Sequence, residues 1–489
     1  MNKYRIYRDL ALSDRIKPAP RRLAALDAVR RASREKKRPD MTWRDHLTML
    51  LHIGAEIEHS LMVQYLYAAY SLGGEQVPLQ HRAMVARWQA SILAVAKEEM
   101  GHLLTVQNIL TFIGAPINLD RQELPWDAPF YPFPFRLERL TLDSLAHYVY
   151  AEMPAEGHGP ARSKHPRKAA LGRAIKRAMR GAKVPPHRVG ELYDELIALV
   201  RDSERIPDSV FQENTYAWQA SSDDWGRGYQ PDPKLLDAGG SLIQPAGNPG
   251  KPSADAHVMI DRIATRDQAV AALTRLSQQG EAPIFIASQS DELSHFDRFL
   301  AIYEELEKVK GWEPSIPVAS NPTVVIDPND PRHKGYISAK HSREWASLFN
   351  LRYRMLLKYL AHTFRLARVV RADTPNLRAM VMHRVFGEMY NLKTISGILV
   401  RLPLRDGGRR RAGPPFEIPY TLHLGTTELD VWINYRDLIA SSQRICQTML
   451  HSGAPDRDYL LALFDLDSQA RTWVEQIIAG LRSSERPYE

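Results

Sequence analysis

A chain of 489 residues with a single cysteine, Cys446, excludes an internal disulfide, a Cys-ligated zinc site and a multi-Cys iron–sulfur cluster, and it fits a reducing compartment. A hydrophobic content of 44% supports ordinary cores, and the formal net charge of +8 is modest for this length, permitting an acidic partner without requiring one. No charge-free apolar run is long enough to span a bilayer and the first residues are basic and polar, so the expectation is an unexported, cytoplasmic protein with no transmembrane segment.

In chain order, a periodicity of 3.6 predicts helices over 43–72, 84–113, 192–200, 268–276, 291–309, 345–370, 377–400, 429–450 and 459–481. Strand-like patterns are confined to 323–326 and 420–424, and Pro- and Gly-rich stretches punctuate 119–134, 230–252 and 311–336. The expected fold is all-α. A basic extension (1–42) precedes a four-helix bundle at 43–310 with a large insertion near 117–255, and an additional C-terminal helical unit covers 337–489.

The first bundle helix places Leu51, Ala55, Glu58, Met62, Tyr65 and Ala69 on one stripe, so Glu58 lies within an apolar face where an ionised carboxylate is costly without a cation or hydrogen bonds. Glu56 and His59 turn toward a different face. On the second helix, Trp88, Ile92, Val95, Glu99, His102, Val106, Ile109 and Ile113 share a stripe whose only polar members are the acid and the imidazole. Residues at i and i+3 face the same way, so one turn can offer both Glu99 and His102 to one metal ion. Glu98 is expected to point elsewhere. Downstream, Glu292 and His295 repeat the spacing, although Asp291 and Glu292 also suit a helix N-terminus without any metal. Glu281 is the expected fourth contribution, with Glu152 and Glu191 as rivals for its place. Two Glu-x-x-His turns with a Glu from each of two further helices make the carboxylate-bridged dinuclear site of ferritin-like bundles.

These residues also carry a resemblance. Glu58-His59 followed by Gln64-Tyr65-Leu66-Tyr67, the Glu98-Glu99-Met100-Gly101-His102 turn with Ile113-Gly114-Ala115-Pro116 behind it, Gly190-Glu191-Leu192-Tyr193, Gln279-Gly280-Glu281 and Ser294-His295-Phe296 resemble the ferritin-like domain of iminophenylpyruvate-dimer-synthase-type proteins. Ala412-Gly413-Pro414-Pro415-Phe416-Glu417 is similar to that family's C-terminal part, so the likeness runs from about residue 43 to 425. It implies a ferritin-like bundle and an oxidative reaction on an amino-acid-derived substrate. The named activity couples an imine, formed by an amino-acid oxidase, in bis-indole pathways, whose enzymes are longer than this chain and are associated with haem. The basic stretch 164–188 and Ala282-Pro283 after Glu281 depart from the pattern.

The expected site is therefore Glu58, Glu99, His102, Glu281, Glu292 and His295 around two irons, with manganese or zinc as substitutes and dioxygen as co-substrate. The expected function is a diiron oxidoreductase of specialised metabolism acting on an amino-acid-derived or peptide-borne substrate. The alternatives are a metal-poor ferritin-like binding or assembly protein and a haem-dependent coupling enzyme, for which His362 or His383 would supply the ligand. Tyr65, Trp88 and Tyr303 lie on or beside the ligand faces and are expected chiefly to pack. The basic, amphipathic stretch from Arg162 to Arg188 is either a solvated insertion or a surface for an acidic partner, and an oligomer is open. Glycine-rich phosphate loops, a Rossmann fingerprint and a Ser nucleophile elbow are lacking, which removes most nucleotide-dependent and acyl-transfer readings.

Overall fold

Thr42 opens the first helix: its backbone is extended and its side-chain oxygen accepts the Asp45 amide, satisfying one of the four free N–H groups at a helix start. The computed structural model describes residues 41–127, 133–153, 167–180, 189–221, 224, 258, 260–280, 294–327, 329, 332–367, 377–418 and 421–484. The extension expected before residue 41, much of the insertion, Glu281 and Glu292 lie outside these residues.

Among the described residues the secondary structure is all helical. The first helices are α1 (Trp43–Ser71), α2 (Arg82–Phe112), α3 (Leu142–Ala151), α4 (Lys168–Ala178), α5 (Val189–Arg201), α6 (Arg266–Gly280) and α7 (His295–Leu306). The chain continues with α8 (Lys340–Thr363), α9 (Leu377–Leu399), α10 (Glu428–His451) and α11 (Arg457–Ser484). The expected strands do not form. Thr323 makes one isolated bridge to Tyr336, and 421–424 is irregular. Val325 and Ile326 face water, the latter 73% exposed, so no continuous buried face drives a ladder there.

The long pair α1 and α2 forms the spine and is buried around most of its circumference through its middle, as a helix packed on several sides must be. The α3–α7 pair, with α4 against it, closes one side; the α5–α6 pair closes the other. Helix α3, which no periodicity signalled, is held by a capping box between Thr141 and Ser144. Three arginines at and within α4 pair inside the chain: Arg167 meets Glu304 at 3.2 Å, Arg173 meets Glu307 at 2.7 Å and Arg177 meets Asp143 at 2.8 Å.

The remaining helices pack as α8 on α9, α10 on α11 and α8 on α10, around a core that includes Trp345, Trp432, Val385 and Leu460. A buried cation organises that core. Arg352 reaches Glu388 at 2.9 Å, Asp467 at 2.5 Å and the Ser442 hydroxyl at 2.8 Å, joining all four helices. His59, on the α1 face turned from Glu58, meets the Tyr353 hydroxyl of α8, and Arg121 donates to the Phe416 carbonyl, which fixes this unit against the first. Replacing Arg352 with Met would leave Glu388 and Asp467 buried without their cation. Loss of one partner of a buried ion pair costs about 3–5 kcal/mol, so Arg352→Met should lower the denaturant midpoint by a corresponding amount; an unchanged midpoint would refute this role.

Candidate metal centre

Three carboxylates and two imidazoles meet where α1 and α2 pass the C-terminal end of α3 and the N-terminal end of α7. Glu58 projects from α1, Glu99 and His102 from one turn of α2, Glu152 caps the end of α3, and His295 is the first residue of α7. Ser294 sets the start of α7 by accepting the Asp297 amide, which fixes where His295 enters. All five side chains are at least 96% buried.

The geometry has two halves joined by Glu99. Its Oε2 lies 3.1 Å from His102 Nδ1, which is also 3.4 Å from Glu58 Oε2. Its Oε1 lies 2.9 Å from His295 Nδ1, which is 3.6 Å from Glu152 Oε2. Each half thus offers one imidazole, one oxygen of the shared carboxylate and one further carboxylate, with all ligand atoms of a half within 4.8 Å of one another. The imidazole rings lie 5.4 Å apart and 23° from parallel. His295 Nδ1 is buried and, although 2.9 Å from Glu99, makes no aligned hydrogen bond to the carboxylates beside it. An imidazole nitrogen turned toward the buried Glu99 and Glu152 without an aligned hydrogen bond fits a cation between them, and the mixed O and N donor set suits iron or manganese, with zinc admissible.

Outer groups hold each ligand. The Tyr193 hydroxyl on α5 donates to Glu58, and the Tyr65 hydroxyl on α1 donates to Glu152. His102 Nε2 donates to Gln279 Oε1 at 2.8 Å and His295 Nε2 donates to Glu98 Oε2 at 2.8 Å, so both imidazoles turn Nδ1 inward. Arg298 clamps both oxygens of Glu98 at 2.9 and 3.0 Å.

The protonation balance follows from this packing. Burial and the Glu99 charge push the Glu58 carboxyl up to about 7. Burial opposes the charged form of His102, but Glu99 and Glu58 outweigh it and hold that imidazole up at about 10. Burial and Glu152 oppose ionisation of Glu99, yet His295 and His102 draw its carboxyl below the ordinary range. Without metal, protons on the imidazoles take the cation's place.

Glu58, Glu99, His102 and His295, singled out by spacing, are brought together. Glu152, a rival for the fourth place, stands in the cluster, while Glu281 and Glu292 and the side chain of Glu191 lie outside the described residues. Glu98 stands in neither ligand group. It is fully buried behind His295, because residues adjacent in a helix diverge by only about 100° and α7 packs on that side of α2. Tyr65 does more than pack, and Tyr193 was marked only by its motif, since nothing in periodicity tells which tyrosine hydroxyl meets a distant acid. Trp88 donates to Glu305 at 2.5 Å, and His362 meets Glu428 at 2.8 Å in the C-terminal unit. Glu56 faces Asn118 and Gln122, away from the cluster.

A centre held by carboxylates and imidazoles inside a helical bundle defines a class of protein. The ferritin-like family model matches residues 51–304, just over half of the chain, and the chain belongs to that family. Among curated proteins it is 25% identical, over 457 residues, to dichlorochromopyrrolate synthase of Lentzea aerocolonigenes. That match covers 86% of this chain but 41% of the relative, so the chain spans about two fifths of the length of the curated protein it resembles. Among solved structures, a ferritin-like protein from Caulobacter vibrioides aligns at 16% identity and a TM-score of 0.39, covering 71% of this chain and 95% of that one. No described helix is long and apolar enough to cross a membrane.

The raised His102 dictates a pH dependence of the metal-free protein. Its contribution to stability is fully present below the ordinary value of 6.5 and is lost as pH rises toward about 10. Chelator-treated wild type should therefore lose stability across that window more steeply than His102→Gln, read as denaturant midpoints. Equal slopes would show that the imidazole carries no such charge.

Proposed function

We propose that the chain is a dinuclear metal oxidoreductase. The observation that carries this reading is Glu99 presenting one oxygen to each of two facing imidazoles, the arrangement a bridging carboxylate needs. Glu58 and His102 would hold one ion, Glu152 and His295 the other, and Glu281 and Glu292 are proposed to complete the set. Iron is the favoured metal, with manganese or zinc as substitutes, and dioxygen is the proposed co-substrate. When bound, a pair of irons supplies redox chemistry that no protein side chain offers alone.

What the chain's own residues do follows from their placement. Tyr193 and Tyr65 fix the outer carboxylates through their hydroxyls. Around Tyr65, the rings of Tyr148 and Phe299 pack at centroid distances of 4.9 to 5.5 Å and exclude water from the Glu152 side. The similarity to a synthase supports an enzyme rather than a metal-poor assembly protein. An amino-acid-derived or peptide-borne small molecule is the proposed substrate, and the single, buried cysteine agrees with a cytoplasmic setting. The unit from residue 337 onward is proposed to brace the bundle through Tyr353 and Phe416.

Metal analysis and the visible spectrum of the purified protein separate the readings. Two irons per chain without a Soret band are expected. Glu99→Ala should lose both with its helical circular dichroism intact, whereas Glu56→Gln, on the other face, should keep both. Wild type without metal would favour the assembly reading, and a Soret band would favour the haem one.

A further inference from the structure

The two halves of the centre differ in what stands behind each imidazole. His295 Nε2 donates to a carboxylate, Glu98, whereas His102 Nε2 donates to a neutral amide, Gln279, each at 2.8 Å. Glu98 is fully buried, and the double contact from Arg298 keeps it ionised, so it can only accept. A carboxylate behind an imidazole pulls on its N–H and enriches the opposite nitrogen, making it a stronger metal ligand; an amide oxygen does so less. Among the described residues the inner ligands do not offset this difference, because each half contributes one Nδ1, one oxygen of Glu99 and one tyrosine-held carboxylate.

We infer that the two metal positions are unequal: the one formed by His295 and Glu152 fills first and binds more tightly than the one formed by His102 and Glu58. The inference rests on the dinuclear reading above. Glu98 and Gln279 act as positioning residues that set metal affinity without touching the metal. Loading is then ordered, with Glu99 first anchored on the His295 side and its second oxygen left to receive the later ion.

Titration of the metal-free, full-length protein with Co(II), followed by calorimetry and by the visible bands of the bound ion, tests this. Wild type should show two steps separated by roughly tenfold or more. Glu152→Ala should remove the tighter step and Glu58→Ala the weaker one. Glu98→Gln should weaken the tighter step by about 10–100-fold and leave the other nearly unchanged. Gln279→Glu should strengthen the weaker step and narrow the gap, a result that stands even if Glu98→Gln fails to fold. Two equal steps in wild type would overturn the inequality and leave the dinuclear reading in place. A Glu98→Gln effect confined to the step that Glu58→Ala removes, or a Gln279→Glu effect confined to the other, would do the same. Wild type that binds no Co(II) would overturn both.

Discussion

The structure depends on the cost of placing Glu58, Glu99 and Glu152 together in a site almost closed to water. Each ionised carboxylate loses hydration worth several kcal/mol, and like charges a few ångströms apart raise one another further. Two imidazoles reduce the imbalance, and the tyrosine hydroxyls satisfy outer lone pairs, but the inward nitrogen of His295 still makes no aligned hydrogen bond. Positive charge at the middle resolves all of these at once. The long helices α1 and α2 deliver their ligands at mid-length, where the bundle is driest, while α3 and α7 supply theirs from helix termini.

Much of this was legible in the amino-acid pattern. Glu99 and His102 stand on an otherwise apolar stripe, and an acid that breaks such a stripe needs a reason. The helical class followed from the same periodicity, and the strong elements α1, α2, α10 and α11 fall close to where it placed them. The strand expected at 323–326 failed because β-branched residues indicate a preference only when a partner edge and a buried face exist.

What stayed hidden depends on distant contacts. The short helix α3 has only ten residues, too few for periodicity to stand out, so Glu152 could be weighed but not preferred. The support that Glu98 gives His295 stayed hidden because a stripe drawn on one helix does not reveal a second helix packed beside it. The basic stretch left a solvated insertion and a partner surface both open, and spacing could not show that Arg167, Arg173 and Arg177 meet Glu304, Glu307 and Asp143, residues far away in the chain. Side chains that hold a ligand from behind are chosen by three-dimensional neighbours, and single-sequence spacing carries little trace of them.

The adjoining residues Glu58 and His59 leave one turn of α1 about 100° apart, one toward the carboxylate cluster and the other to Tyr353 on α8. A rotation of that turn by a few degrees would disturb both engagements together. Helix α8 therefore touches the turn that carries Glu58, although it contributes no ligand among the described residues. Grafting the front bundle onto another scaffold would have to replace that brace as well as the ligands.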